Sequence, residues 1–261
     1  MYLHLYSQFF KCQLKNKMEF RTDFLIGILS VLIVQSTSIL LMKFVFDHIH
    51  SIKGWTFQEI MLIYGVAAMG RAIHHVFFDN LWTLGSQYIR PGNFDRLLIR
   101  PINPLFHLIA ERVQLDGIGQ MVMGIIMLSY SLSNLDLSWG FLEVTILLVM
   151  IVSSGLIFAA VNLFVATFSF WMVDSLPIMT AVFHLSDYAR YPISIFNKWI
   201  QLLLTWIIPY GFVAFYPATV LLKSSDFQYI GLLSPLVAIF LCGFAYLFWL
   251  VGLRSFTSTG S

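Results

Sequence analysis

The sequence predicts an all-α protein that crosses a membrane several times. Of its 261 residues, 59% are hydrophobic and only 11% are charged, whereas soluble domains carry about 25% charged residues. Apolar runs close to the ~20 residues that a spanning helix needs recur along the chain. Both tails and all loops are short. We therefore expect a single membrane domain over residues 1–261, without a separate soluble domain.

The first segment, residues 1–21, has the period of an amphipathic helix. An apolar stripe is formed by Leu3, Tyr6, Phe10 and Leu14, and a polar stripe by His4, Gln8, Lys11 and Lys15. This pattern favours a helix that lies in the membrane interface. The alternative is an extended start to the first span. The apolar run that follows is too long for a signal peptide, so no cleaved leader is expected.

Six membrane crossings are predicted from the apolar runs. They cover residues 24–46, 60–81, 118–132, 141–170, 176–196 and 229–253. A further apolar stretch, 199–222, contains Pro209 and Pro217, which divide it into pieces too short to cross. We expect it to form a re-entrant helical hairpin on the outer side, although a seventh crossing fits the charge distribution almost equally well.

The basic residues orient the chain. With the N- and C-termini in the cytoplasm, most Lys and Arg side chains fall inside, as the positive-inside rule requires. These are Lys11, Lys15, Lys17, Arg21, Arg90, Arg96, Arg100, Arg112 and Arg254, against Lys53, Arg190, Lys198 and Lys223 outside.

The loop at 89–105, I-R-P-G-N-F-D-R-L-L-I-R-P-I-N-P-L, is the most distinctive part of the chain. Prolines on both sides predict one short helix from Phe94 to Arg100, with Asn93 as its N-cap and Asp95 in its first turn. Phe94, Leu97 and Leu98 share one face, and Arg96 and Arg100 share another. The pattern predicts a cytoplasmic coupling helix that docks into a soluble partner. The alternative is a basic loop that only sets topology.

The second span carries four polar side chains in its second half. They are Arg71, His74, His75 and Asp79, and three of them recur every four residues. Ionisable residues at membrane depth are candidates for function because their burial in lipid is costly. They could line a transport path, relay protons or form a seam against another helix. No metal site is expected, since adjacent histidines point in different directions.

A possible outer gate is predicted near the end of the fifth span, where the segment from Asp187 to Pro192 brings charges and aromatic rings to the outer membrane interface. Its residues are Arg190, Tyr191, Pro209, Tyr210, Tyr216 and Pro217. Aromatic belts usually mark only the membrane interface, which is the alternative.

Several classes of function are disfavoured by the sequence. The 15 basic and 13 acidic residues nearly balance, so no nucleic-acid partner is indicated. There is no phosphate-binding loop, so any ATP would bind another chain. Cys12 and Cys242 are too few and too distant for a disulfide framework.

The chain resembles the ABC-2-type transporter permeases, in particular a small-permease subfamily formerly labelled a domain of unknown function. The resemblance spans essentially the whole chain. It rests on the 89–105 loop, on Y-A-R-Y-P-I-S-I-F from Tyr188, on I-P-Y-G-F and F-Y-P-A-T around Pro209 and Pro217, and on the C-terminal G-L-R-S-F-T-S-T-G. Asn93 stands where the family usually has an acidic residue.

This resemblance implies a non-catalytic permease in the inner membrane of a bacterial cell. It implies two ABC ATPase subunits that bind ATP and Mg, and a second permease that is often a related but different chain. Arg71 lies too deep in its span to reach either membrane surface easily, so we expect protein to bury it, with a carboxylate of this sister permease as its partner. The implied activity is export of an amphiphilic drug, peptide or lipid by alternating access, with no cofactor in this chain. The rivals are a membrane-embedded enzyme and an ion-coupled carrier, both using Arg71, His74, His75 and Asp79.

Overall fold

The computed structural model describes residues 2–19, 21–135, 137, 140–172, 175–222 and 228–257. Throughout these residues the regular elements are helices, which confirms the all-α prediction. The α-helices are α1 (Tyr2–Glu19), α2 (Arg21–His48), α3 (Phe57–Phe78), α4 (Asp95–Leu98), α5 (Pro104–Glu111), α6 (Gly117–Asn134), α7 (Phe141–Thr167), α8 (Leu176–Ser186), α9 (Lys198–Leu202), α10 (Phe215–Leu222), α11 (Gln228–Gly231) and α12 (Ser234–Ser255). Lys223 and the end of the C-terminal motif lie outside the described residues.

Four helical runs within the described residues are long and apolar enough to cross a membrane. They are Arg21–His48, Phe57–Ile89, Phe141–Phe170 and Tyr229–Ser255, with 28, 33, 30 and 27 residues. Each exceeds the ~20 residues required for a crossing. These runs contain the first, second, fourth and last of the predicted spans.

The other two predicted spans differ from the expectation. Helix α6 has 18 residues, about 27 Å of helix, but it is not among the runs that are long and apolar enough to cross. The predicted fifth span, 176–196, is not one helix: α8 has 11 residues, about 16 Å, and gives way to short 3₁₀ turns at Asp187–Arg190 and Ile193–Ile195. Pro192 disfavours helical geometry at the residue before it. The prediction of a continuous fifth span is therefore wrong, and the count of six remains a prediction.

The apolar stretch after the fifth span is bent, as the prolines predict. The runs Lys198–Ile207 and Tyr210–Leu222 meet at 79°, and Pro209 lies at the break. Pro217 does not break the helix, because it occupies the first turn of α10, where the missing N–H is tolerated. The bend fits either a re-entrant hairpin or a broken span.

Cysteine labelling on either side of this bend should distinguish the two topologies. We expect Lys198→Cys and Tyr229→Cys to react with an impermeant thiol reagent from the same side of the membrane. Both parent side chains are exposed, so the labels are reachable. The background should lack Cys12 and Cys242, the free cysteines of the chain. Labelling of the two positions from opposite sides would mean that 198–229 crosses the membrane.

Helix α3 is the centre of the bundle and is buried along most of its length. Helix α6 packs closely against it through glycines. A Cβ atom at Gly65 would lie 2.8 Å from the Leu128 side chain, and one at Gly124 would lie 2.8 Å from Met69. Small residues let membrane helices approach to this distance. Helix α7 covers another side of α3.

The two ends of α3 meet different parts of the chain. At its start, Trp55 donates through Nε1 to Ser194 Oγ at 2.8 Å and lies against the ring of Phe215 in α10. At its other end, the chain continues through a 3₁₀ turn, Asp79–Thr83, and a π-helical turn, Leu84–Ile89, into the 89–105 loop. The bent segment and the loop therefore lie at opposite ends of this helical run.

Helix α1 packs beside the segment that follows the loop. Tyr6 and Phe10 contact the apolar cluster of Val76, Val113 and Leu115. Lys17 forms an ion pair with Asp116 at 3.3 Å. The half-buried Tyr6 and Phe10 match the predicted apolar stripe, whereas Leu14 is exposed. An interfacial position for α1 remains a prediction.

Candidate functional site

Arg71, midway along the Phe57–Ile89 run, is paired within its own chain. Its Nη1 donates to Asp187 Oδ1 at 2.9 Å and its Nη2 donates to Ser186 Oγ at 2.8 Å. The guanidinium also lies over the rings of Phe158 and Phe183. The expected burial of Arg71 against protein is confirmed, since its side chain is 20% exposed. The guess of a carboxylate on a sister permease is wrong, because Asp187 takes that role.

A second arginine shares the same carboxylate. Arg190 approaches Asp187 Oδ1 through Nη2 at 3.5 Å and donates through Nε to the Asp187 carbonyl at 3.0 Å. Its Nη1 donates to the hydroxyl of Tyr64 at 3.4 Å. Helix α3 supplies Arg71 and Tyr64, and the turn after α8 supplies Asp187 and Arg190. One acidic side chain is thus shared between two basic ones.

These four residues line a cavity of about 420 Å³ between α2, α3, α6 and the turn after α8, and they place its charged groups among largely apolar walls. The rest of its lining is uncharged: Ser30, Val31, Val34, Gln35, Ser38, Ala67, Ala68, Gln120 and Phe183. The Oε1 atoms of Gln35 and Gln120 are shielded from solvent and have no hydrogen-bond partner. Buried amide oxygens normally have a partner, so these two are polar atoms that the contacts within the chain leave unsatisfied.

The other polar residues of the second span form a separate group. His75 Nδ1 and Asp79 Oδ1 are 2.8 Å apart, one turn further along the run than Arg71. His74 is almost fully buried beside Phe158, and its Nε2 has no partner. The predicted face of Arg71, His75 and Asp79 therefore divides into Arg71, which pairs with Asp187, and a histidine–aspartate pair, while His74 is buried separately. In the described part of the chain, no three His, Cys, Asp or Glu residues are grouped as a metal site would require.

The 89–105 loop is folded more tightly than its sequence pattern predicts. Helix α4 has only four residues, Asp95–Leu98, with Phe94 at its N-cap position. Asn93 does not cap it; its Nδ2 donates to the carbonyl of Gln87 at 3.1 Å. The chain turns at Gly92, whose φ of 76° suits a residue without Cβ. The predictions of a helix from Phe94 to Arg100 and of an Asn93 cap are wrong.

The apolar face of the loop, which was expected to dock into a partner, points into the helical bundle instead. Phe94 is fully buried, with its ring against those of Phe170, Trp249 and Phe256, and Leu97 belongs to the same cluster. An amphipathic pattern tells which side chains share a face, but not whether that face turns outward. Phe94 and Leu97 attach the loop to the bundle, so their predicted contact with a partner is wrong.

The exposed part of the loop lies at the end of α4 and just after it. Ile99 is 82% exposed and Leu98 is 42% exposed. Around them the exposed basic side chains are Arg90, Arg96 and Arg100. We call Leu98, Ile99 and these three arginines the loop tip. In the loop tip, two exposed apolar side chains are surrounded by three exposed basic ones.

A histidine holds the base of the loop tip. Arg100 Nη1 lies 2.7 Å from Nε2 of the buried His107 in α5. Burial lowers the pKa of His107 below its usual range; Glu111 opposes that shift, and Arg100 and Arg96 add to it. The imidazole is therefore neutral at physiological pH and accepts the hydrogen bond from Arg100. Arg100 is thus held by His107. It lies beyond the end of α4, so the predicted helical face shared with Arg96 is wrong, although both side chains line one cavity.

The comparison with protein families matches nearly all of these elements. The family described as ABC-2 family transporter protein matches residues 32–260, which include the loop, the bent segment and all of the cavity lining except Ser30 and Val31. The chain belongs to the ABC-2 transporter family. It is a multi-pass membrane protein, and the family indicates the permease component of an ABC transporter, which generally works with an ABC ATPase. No curated protein and no solved structure matches the chain.

In this ABC-2 permease, the predicted outer-gate residues do not form one site. Tyr210 and Tyr216 are buried in the main apolar core, where Tyr216 lies 3.0 Å from Thr205 through their hydroxyls. Arg190 instead belongs to the cavity, and Tyr191 packs beside the start of α3. Pro209 sets the bend and Pro217 begins α10. A gating role for this group remains a prediction.

Sequence reasoning about the permease missed the partners of Arg71. Asp187 was noted only as a charge near the membrane interface, and Tyr64, Gln35 and Gln120 were not singled out. A signal for them exists, because each is a polar residue within or beside an apolar run. Nothing in one sequence pairs residues 116 positions apart, however, so the cavity itself could not be derived.

Proposed function

We propose that this chain is the permease subunit of an ATP-driven exporter that moves an amphiphilic substrate by alternating access. The observation that carries this proposal is the single helical run Phe57–Ile89. It lines the cavity in its middle and ends in the exposed loop. The proposed substrate site and the proposed ATPase contact would thus share one structural element.

The geometry offers a direct mechanical link between the two sites. From Arg71 to Ile89 the run extends about 27 Å if the helical rise is maintained. The loop is also attached to α12, since Phe94 packs against Trp249. A packed helix transmits displacement as a unit. A pull on the loop would therefore move the α3 wall of the cavity relative to α2.

The expected substrate is amphiphilic because the cavity combines charged groups with apolar walls. Arg71, Asp187 and Arg190 are charged, whereas Val31, Val34 and Phe183 are apolar. Helix α2 forms one side, and its apolar side chains are largely exposed. Access from the lipid phase past α2 suits a molecule that is already in the membrane.

The assembly proposed for this permease contains two ABC ATPase subunits and a second permease that is a related but different chain. ATP and Mg would bind the ATPases, and this chain would carry no cofactor and no bond-making chemistry. A bacterial inner membrane and cytoplasmic termini complete the proposal. The loop tip, α1 and the end of α12 lie at the same end of the bundle, and they carry many of the basic residues that the positive-inside rule assigns to the cytoplasm.

The loop tip is the proposed ATPase contact, replacing the buried face of Phe94 and Leu97. The side chain of Ile99 is the most exposed apolar residue of the loop. Apolar anchors surrounded by polar residues contribute most to protein interfaces. The three arginines around it would contact acidic residues of the partner and increase the rate of association.

Replacing the apolar tip should separate the permease from its ATPase. We expect the Leu98→Asp, Ile99→Asp double variant to lose most of the co-purified ATPase, because two carboxylates would be buried at the contact without partners. Amounts of the two proteins after affinity purification of the permease are the measurement. The permease itself should be recovered in normal yield, since both side chains face outward.

The matched control adds the same charge elsewhere. The Gln8→Asp, Asn16→Asp double variant alters two exposed positions of α1 and should leave ATPase recovery unchanged. Normal ATPase recovery with the double variant would count against docking at the loop tip.

A further inference from the structure

We propose that the cavity selects amphiphiles with an anionic head group, a phosphate or a carboxylate bound between Arg71 and Arg190. This inference rests on the proposed transport function and names the substrate class for it. Its basis is the charge and the hydrogen-bonding capacity of the cavity lining.

The charge of the lining is unbalanced. Arg71 and Arg190 are its two cationic residues, and Asp187 is its single acidic residue. The next carboxylate along the Phe57–Ile89 run is that of Asp79, which is paired with His75. Within the described lining there is thus one positive charge in excess. A net charge at membrane depth is costly, and an anionic ligand would neutralise it.

The two guanidinium groups are close enough to share one anion. Both contact the same oxygen, Asp187 Oδ1, at 2.9 Å and 3.5 Å. A guanidinium has five N–H donors, and Arg71 uses two for Asp187 and Ser186. Both side chains line the cavity and are 20% and 25% exposed. Phosphate and carboxylate groups accept paired N–H donors of this kind.

The rest of the cavity suits the remainder of such a molecule. Gln35, Gln120 and Ser30 also line the cavity and carry side chains that can form hydrogen bonds with a polar head group. Val31, Val34 and Phe183 form an apolar wall for a hydrocarbon chain, and Val34 is also exposed on the outer side of α2. A cationic amphiphile would instead meet two arginines, while the single carboxylate is already shared by both.

Ligand binding to the purified full-length permease in a neutral detergent tests this inference. Four probes with the same acyl chain length serve: lysophosphatidic acid, a fatty-acid carboxylate, lysophosphatidylcholine and an alkyltrimethylammonium ion. We expect at least one anionic probe to bind about tenfold or more tightly than the zwitterionic and cationic ones, the order of one hydrogen bond to a charged group. The phosphate and carboxylate probes distinguish the two anion chemistries.

Arginine variants locate the binding site. Arg71→Gln and Arg190→Gln should each reduce the preference for the anionic probe several-fold, and Arg190→Lys should retain part of it. Arg21→Gln removes a cation from the exposed start of α2 and should leave the preference unchanged. If the glutamine variants do not fold, the four-probe comparison on the unmodified protein still decides.

Equal binding of anionic and zwitterionic probes would overturn the proposal, as would a preference that persists in both glutamine variants. A change in oligomeric mass without a change in probe binding would assign the arginines to a partner permease and overturn it too. The assay requires neither ATPase nor transport. Failure of ATPase docking would therefore count against the proposed function and leave this result to be judged separately.

Discussion

Phe94→Ala is expected to destabilise the permease by about 3 to 5 kcal/mol, the usual cost of removing a fully buried aromatic ring. The ring lies 5.0 Å from that of Phe256, 5.3 Å from that of Phe170 and 6.2 Å from that of Trp249. Its removal would leave a cavity between the loop, the end of α7 and α12. Thermal unfolding of the purified protein in detergent would report the loss.

Ile99→Ala is the matched control for this prediction. It shortens an apolar side chain five residues away, but that side chain is exposed, so the free energy of unfolding should change by no more than about 0.5 kcal/mol. A Phe94→Ala protein that unfolds like the wild type but fails to bind ATPase would restore Phe94 as a docking residue.

Asp187→Leu is expected to be more damaging than Arg71→Leu. Removing Asp187 leaves two arginines close together without their shared carboxylate, and breaking a buried ion pair costs about 3 to 5 kcal/mol. The side chains are partly exposed to the cavity, so the lower end of that range is expected. Arg71→Leu leaves Asp187 paired with Arg190 and should cost less. Unfolding measurements on both variants give the comparison.

Ser186→Ala calibrates this result. It removes one hydrogen bond to Arg71 and no charge, and should cost about 1 kcal/mol. Equal destabilisation by Asp187→Leu and Arg71→Leu would mean that Arg190 does not share the carboxylate.

Local features of the chain were predictable because they depend on neighbouring residues. Apolar run length predicted the long helices, Pro209 predicted the bend, and four-residue spacing predicted that His75 could reach Asp79. The depth of Arg71 in its span predicted that protein would cover it. These inferences use helix geometry and the cost of burying charge, both of which are properties of a short segment.

Features that depend on tertiary packing were not predictable. The apolar face of Phe94 and Leu97 turns inward because α12 offers Trp249 and Phe256 to cover it, and no local pattern reports that. The break after α8 places Asp187 beside Arg71, so the misjudged fifth span and the missed ion pair have the same origin. The cavity forms only where several helices pack together, so no local pattern predicts it.

Side-specific labelling of the cavity tests the central claim of alternating access most directly. Ser38→Cys places a thiol in the lining with little change in size, in a background without Cys12 and Cys242. In the complex with its ATPase, we expect an impermeant reagent to label it from one side of the membrane without nucleotide, and from the other side with ATP and vanadate. Labelling from the same side in both states would contradict the account.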